Sequence, residues 1–136
     1  MKLVVNLLLG VGMEAIAESV CLGEHLQIDR DVLLRVLSKT AVVPPALVGK
    51  FKKMRNNEYS PEFPLRLMSK DLNLILDAAA SSGTQLPVTR AAQRVFASNV
   101  TSRGEFDLSS VTPSIDDNGA VATSDRYRVA IGGKHS

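Results

Sequence analysis

Tryptophan is absent from this chain, aromatic residues make up only 4% of it, and cysteine occurs once, as Cys21. So thin an aromatic complement argues against a stacking platform for single-stranded nucleic acid. One thiol cannot close an internal disulfide; flanked by Val20 and Leu22, Cys21 reads as a buried structural thiol, and the expected location is a reducing one, the cytoplasm. An excess of one charge is also missing, since 16 basic and 14 acidic residues leave a net charge of +2, and no nucleic-acid partner follows. The 2 histidines, His25 and His135, lie far apart with no cysteine cluster beside them, so no metal site is expected. His25 reads as a surface residue at a helix end. The opening Met1-Lys2-Leu3-Val4-Val5-Asn6-Leu7 has a superficial likeness to a signal peptide, but Asn6 interrupts it. Glu14 and Glu18 arrive before the ~20 apolar residues a membrane span requires, so no membrane segment is expected.

What is present is a soluble globular composition, 45% hydrophobic and 22% charged, in a length suited to one core. From Lys2 to His25 the apolar positions Leu3, Leu7, Val11, Ala15 and Leu22, with Leu8, Ile16 and Val20, predict one long helix buried on more than one side. Asp29 is placed to cap a second helix reaching Thr40. Pro44-Pro45 breaks the pattern, and Leu47, Val48, Phe51 and Met54 predict a third helix after it. Asn56 to Pro64 is a loop by composition. Leu65, Met68, Leu72, Ile75, Leu76 and Ala79 trace a fourth helix over Leu65–Ser82 that stops at Gly83. Pro87 opens a fifth, running to about Arg103, and Asp107–Val111 adds one further turn. Residues 116–136, ending Gly132-Gly133-Lys134-His135-Ser136, have no clear period and are expected to form a flexible tail. No segment alternates like a strand, so the fold class is all-α. Asn99-Val100-Thr101 matches a glycosylation triplet, which on a cytoplasmic helix is coincidence.

Gly10-Val11-Gly12-Met13-Glu14-Ala15 fits a relaxed dinucleotide-binding fingerprint, with Asp29 near the spacing of the acidic residue. A genuine fingerprint follows one strand and precedes another. Cys21 to Gln27 makes a poor second strand and everything downstream is helical, so the glycines read as points where another helix packs closely.

Several features occur together in order: Lys2-Leu3-Val4-Val5-Asn6, then Glu14-Ala15 and Glu18, the proline break, Phe63-Pro64-Leu65-Arg66-Leu67-Met68-Ser69-Lys70-Asp71-Leu72, and Gly83-Thr84-Gln85-Leu86-Pro87. From Lys2 to Val111 this combination resembles the β-hydroxyacid dehydrogenases of the 3-hydroxyisobutyrate dehydrogenase family, and most of all their glyoxylate/succinic semialdehyde reductase branch. The resemblance implies the C-terminal helical domain of such an enzyme over residues 1–115. It would be a bundle of about five to six helices on a long N-terminal helix, similar to the C-terminal domain of 6-phosphogluconate dehydrogenase. Family members carry a Rossmann domain ahead of the lysine motif; here Met1 directly precedes Lys2, so that domain is expected to be absent and the chain inactive alone.

Lys2 and Asn6 lie four residues apart, hence on one side of a helix. An ammonium can stabilise or protonate a carbonyl oxygen as hydride arrives, and an amide can hold a substrate through donor and acceptor together. Taken alone, Lys2 is an ordinary solvated lysine and Asn6 a surface amide; the resemblance implies that they are catalytic. It likewise implies that Lys70 lies beside the nicotinamide cofactor and that Phe63 lines the substrate pocket, where residue type alone gives a solvated charge and a core aromatic. Asp71 is expected to orient neighbouring basic groups. The intact enzyme would use NAD or NADP on a short β-hydroxyacid or aldehyde acid, neither cofactor binding this chain tightly by itself. The implied partners are a second copy, through helix packing, and a separately supplied Rossmann domain. Two alternatives stay open: a non-catalytic helical oligomerisation module, and a small nucleotide binder starting at Gly10.

Overall fold

In the computed structural model, which describes residues 1–115, the chain is built of helices, with no strand among the described residues and one isolated bridge between Pro64 and Asp107. The tail expected over 116–136, His135 included, lies outside the described residues. Helix α1 (Lys2–His25) takes the predicted span. Met13, Ala17 and Val20 on one side are wholly buried, while Val4, Val5, Leu8, Leu22 and Leu26 on the other are each more than half exposed. Being apolar on both sides, α1 is long and apolar enough to cross a membrane, although Glu14 and Glu18 were expected to prevent this; the buried side supplies much of that character as the core of the bundle. The Gly-x-Gly pair sits in mid-helix. A methyl group at Gly10 would come 3.0–3.2 Å from Met68 and Leu72, so close helix contact is what glycine permits there.

Helix α2 (Arg30–Leu37) starts under the Asp29 carboxylate, which accepts from the amides of Asp31 and Val32 at 2.9 and 3.3 Å. It ends before the predicted Thr40 because the Ser38 and Thr40 hydroxyls bond back to the carbonyls of Arg35 and Leu37. The predicted third helix is two: α3 (Pro45–Val48) and α4 (Phe51–Asn56), interrupted where the Lys50 side chain turns into the interior. Helix α5 (Leu65–Ser82) stops at Gly83, whose φ of 72° is the left-handed conformation glycine takes without strain. The predicted fifth helix is likewise divided into α6 (Pro87–Ser98) and α7 (Val100–Arg103). Asn99 lies at the break, its side-chain amide donating to the Val95 carbonyl at 2.8 Å. A 3-10 turn, η1 (Leu108–Ser110), leads into helical residues 111–115.

Helices α1 and α5 run antiparallel: Gly10 meets Met68 and Leu72, Asn6 meets Asp71, and Leu3 and Leu7 share a cleft with Ile75 and Ala79. Around that pair Leu34, Met54, Leu65, Phe96, Leu108 and Val111 complete a fully buried core. Cys21, expected to be buried, is only half-buried; its position on α1 turns it aside from the core, with Sγ 3.6 Å from His25 Nδ1.

Backbone bonds from Leu65, Arg66, Asp107 and Leu108 and the side chain of Asp107 fasten the C-terminal part to the rest. Asp107 has no exposed surface, and its Oδ1 accepts from Lys50 Nζ at 3.0 Å and from the Glu62 and Phe63 amides at 3.1 Å. Its Oδ2 accepts from the amide and hydroxyl of Ser109. Burial pushes the Asp107 carboxyl up, but the bonds from Ser109, Lys50 and Phe63 outweigh it and hold the group below its ordinary value of 3.8. The anion is therefore the form the fold stabilises. Asp107→Ala should cost about 3 kcal/mol in urea unfolding, since it leaves the buried Lys50 with only the exposed Glu62 carboxylate and takes the acceptor from the Glu62 and Phe63 amides. In the native chain this contribution should be complete above pH 3.8 and vanish as pH falls through the lower folded-state value.

Candidate functional site

The first two turns of α1 carry a short polar strip, Lys2 and Asn6, among apolar residues. Lys2 is exposed; Asn6, one turn on, is buried against α5. Its Nδ2 donates to Asp71 Oδ2 at 2.7 Å, a charge-assisted bond between residues 65 apart in sequence. With one N–H committed, Asn6 keeps its oxygen and second N–H for another group, held at a fixed orientation. Asp71 therefore has a different role from the one expected: it orients an amide on the facing helix. Lys70 is exposed and adjoins Asp71 in sequence. One turn toward the start of α1, a cleft of about 390 Å³ opens between the helices, lined by Leu3, Val4, Leu7, Ile75, Ala79 and Leu86 among others.

Phe63 is not part of this cluster. It precedes α5, and the helical stretch from Leu65 to Asp71 alone spans ~9 Å. Its ring is half-buried against the core, its amide donates to Asp107, and its carbonyl accepts from the Leu108 amide at 2.8 Å. The structure thus brings Asn6 and Asp71 together, sets Lys2 and Lys70 at exposed positions one turn and one residue from them, and places Phe63 at the far end of α5. Among the described residues no three histidine, cysteine or acidic side chains gather as metal ligands would.

Sequence reasoning gave no function to Glu14, which is 94% buried when its 6% exposure is subtracted from the whole. Among the described residues no donor reaches either carboxylate oxygen. Burial first, and the Glu18 carboxylate second, push its pKa from 4.5 up to about 8. The signal available was slight: an acid flanked by Met13 and Ala15, with a second acid, Glu18, one turn on.

The profile of the family described as NAD-binding of NADP-dependent 3-hydroxyisobutyrate dehydrogenase matches residues 1–112. Glyoxylate/succinic semialdehyde reductase 1 of Arabidopsis thaliana is 32% identical over 116 residues, which are 85% of this chain and 40% of that protein. Among solved structures, 3-hydroxyisobutyrate dehydrogenase from Salmonella typhimurium superposes with a TM-score of 0.77 at 27% identity, over 82% of this chain and 40% of that one. The Mycobacterium tuberculosis 3-hydroxyisobutyrate dehydrogenase solved with L-serine gives 0.72 at 28% identity, over 84% and 42%. The chain belongs to this NAD-binding family of 3-hydroxyisobutyrate dehydrogenases. It spans about two-fifths of the length of these relatives.

Two measurements check the electrostatics. A double-mutant cycle of Asn6→Ala and Asp71→Ala, read by denaturant unfolding, should return a coupling of ~1.5 kcal/mol; additive effects would mean that the bond is not made. Glu14 takes up its proton more readily folded than unfolded, so it lowers stability progressively as pH rises from 4.5 to about 8. Glu14→Gln should therefore match the parent near pH 5 and melt at a higher temperature than it at pH 8.

Proposed function

We propose that this chain is the helical substrate-side and dimerisation domain of an NAD(P)-dependent oxidoreductase acting on short β-hydroxyacids or aldehyde acids such as glyoxylate and succinic semialdehyde. The observation that carries the proposal is the Asn6 amide fixed by Asp71 one helical turn from Lys2. Family membership and the printed activities of the relatives support the chemistry.

Among the described residues there is no strand-to-helix glycine turn to cradle a pyrophosphate, whereas exposed Lys70 beside the α1–α5 edge suits one flank of a nicotinamide. The fit is to one wall of a cofactor site, and the pyrophosphate cradle belongs to a nucleotide-binding domain. Bound NAD(P) supplies the hydride. The Lys2 ammonium donates to the carbonyl oxygen of the substrate, offsets the negative charge that grows there, and transfers a proton to it. The Asn6 amide, already oriented, grips the substrate with the oxygen and N–H that Asp71 leaves available. Phe63 serves this role only if the pocket extends to the head of α5. Without the complementary domain, the chain neither holds the cofactor tightly nor turns over.

The exposed Val4, Val5, Leu8, Leu22 and Leu26 favour self-association along α1, and also a second reading in which the domain only oligomerises. The two separate in one assay: the chain is mixed with the Rossmann domain of a relative and supplied with NADPH or NADH and glyoxylate or succinic semialdehyde. Reduction should appear, and Lys2→Ala should lower kcat by ~10²-fold or more. A complementing pair indifferent to Lys2→Ala would remove the catalytic assignment, and assembly without turnover would leave the oligomerisation module.

A further inference from the structure

Among the described residues, the carboxyl of Glu14 is the one buried acid that neither the fold nor the proposed chemistry uses. It lines a cleft of about 170 Å³ between α1 and α6, with Val11 and Ala15 on one wall and Val88, Ala91 and Val95 on the other. A cavity of ~150 Å³ accommodates a six-carbon ring, so this one has room for a short aliphatic chain. Glu14 and Glu18 carry the only polar side chains of its lining. When ionised both are acceptors, and no donor among the described residues satisfies Glu14.

From this we propose that the α1–α6 cleft binds the ammonium end of an aliphatic amine, its alkyl stem against the valines and its head between Glu14 and Glu18. An ammonium offers three N–H donors, no acceptor and a compact charge, the complement of an acceptor-only pair. Calcium takes six to eight oxygen ligands and zinc favours nitrogen and sulfur donors, neither of which two carboxylates among aliphatic side chains supply. A carboxylate ligand would place its negative charge beside that of Glu18.

The site also has a definite response to pH. In the empty cleft Glu14 retains a proton up to about pH 8, and seating a cation displaces it. Affinity should therefore rise with pH toward 8, where an alkylamine with a pKa near ~10.4 is still charged. Glu18 is the other titratable group facing Glu14; α6 contributes only Val88, Ala91, Ala92 and Val95 to the lining, and its exposed Arg90 and Arg94 make no bond to Glu14. The inference uses none of Lys2, Asn6 or Lys70, so it and the proposed catalytic role can fail separately.

The probe is n-butylammonium, which reproduces a lysine side chain beyond its α-carbon, with n-butanol as the uncharged control. The methyl resonances of Val11, Val88 and Val95 should move saturably with the amine, and with n-butanol only at tenfold or higher concentration. Glu14→Gln should weaken the amine at least tenfold, and Glu18→Gln, at an exposed rim position, severalfold. Binding should be tighter at pH 8 than at pH 6. Sedimentation velocity distinguishes the sources of the ammonium. If Glu14→Gln dissociates an assembly, the natural occupant is a lysine of a second copy; if assembly is unchanged while amine binding is lost, it is a free small amine. Equal amine affinity in the parent and both glutamine variants would overturn the proposal, as would unmoved valine methyls with assembly unaffected by Glu14→Gln.

Discussion

The antiparallel contact of α1 with α5 is the constraint on which the rest of this structure depends. It is close because Gly10 has no side chain where Met68 and Leu72 press against the helix. A bulkier residue would force those side chains away, and helix separation is set by the side chains at the crossing. At that spacing the Asn6 amide can reach Asp71 at 2.7 Å, and a polar bond forms where two apolar faces meet. The order of causes is therefore glycine, then packing distance, then the orientation of an amide one turn from Lys2.

The same helix faces three environments. Met13, Ala17 and Val20 supply core, Lys2 and Asn6 supply the polar strip, and Val4, Val5, Leu8, Leu22 and Leu26 remain exposed. Val4, Val5 and Leu8 form one exposed apolar group at the start of α1, and Leu22 and Leu26 a second at its end. The chain spans about two-fifths of its relatives, whose remaining length is a further source of surface to meet them.

What could be seen in the sequence was whatever is enforced locally. The bounds of α1 and α5 followed from period, the Asp29 cap from residue type, and the end of α5 from Gly83, because each depends on atoms within a turn or so of the residue concerned. The division of the third helix escaped notice because its cause, the inward turn of Lys50, lies in a partner 57 residues away. Asn99 splits α6 from α7 with a side-chain bond that residue type permits but does not require. The four-residue spacing of Lys2 and Asn6 was visible, whereas the bond that orients Asn6 joins positions 65 apart and is a product of tertiary packing. Glu14 gave the weakest signal of all, since an acid in a helix is ordinarily solvated and only the approach of α6 encloses this one.

The Asp107 carboxylate ties Lys50, the Glu62–Phe63 backbone and Ser109 into a single knot. On a ribosome, none of those donors has its acceptor until the chain has been made almost to the end of the described region. Until then Lys50 has only Glu62 to pair with and the stretch ahead of α5 is held by Lys53 alone, so a nascent chain can assemble α1 early but completes this knot last.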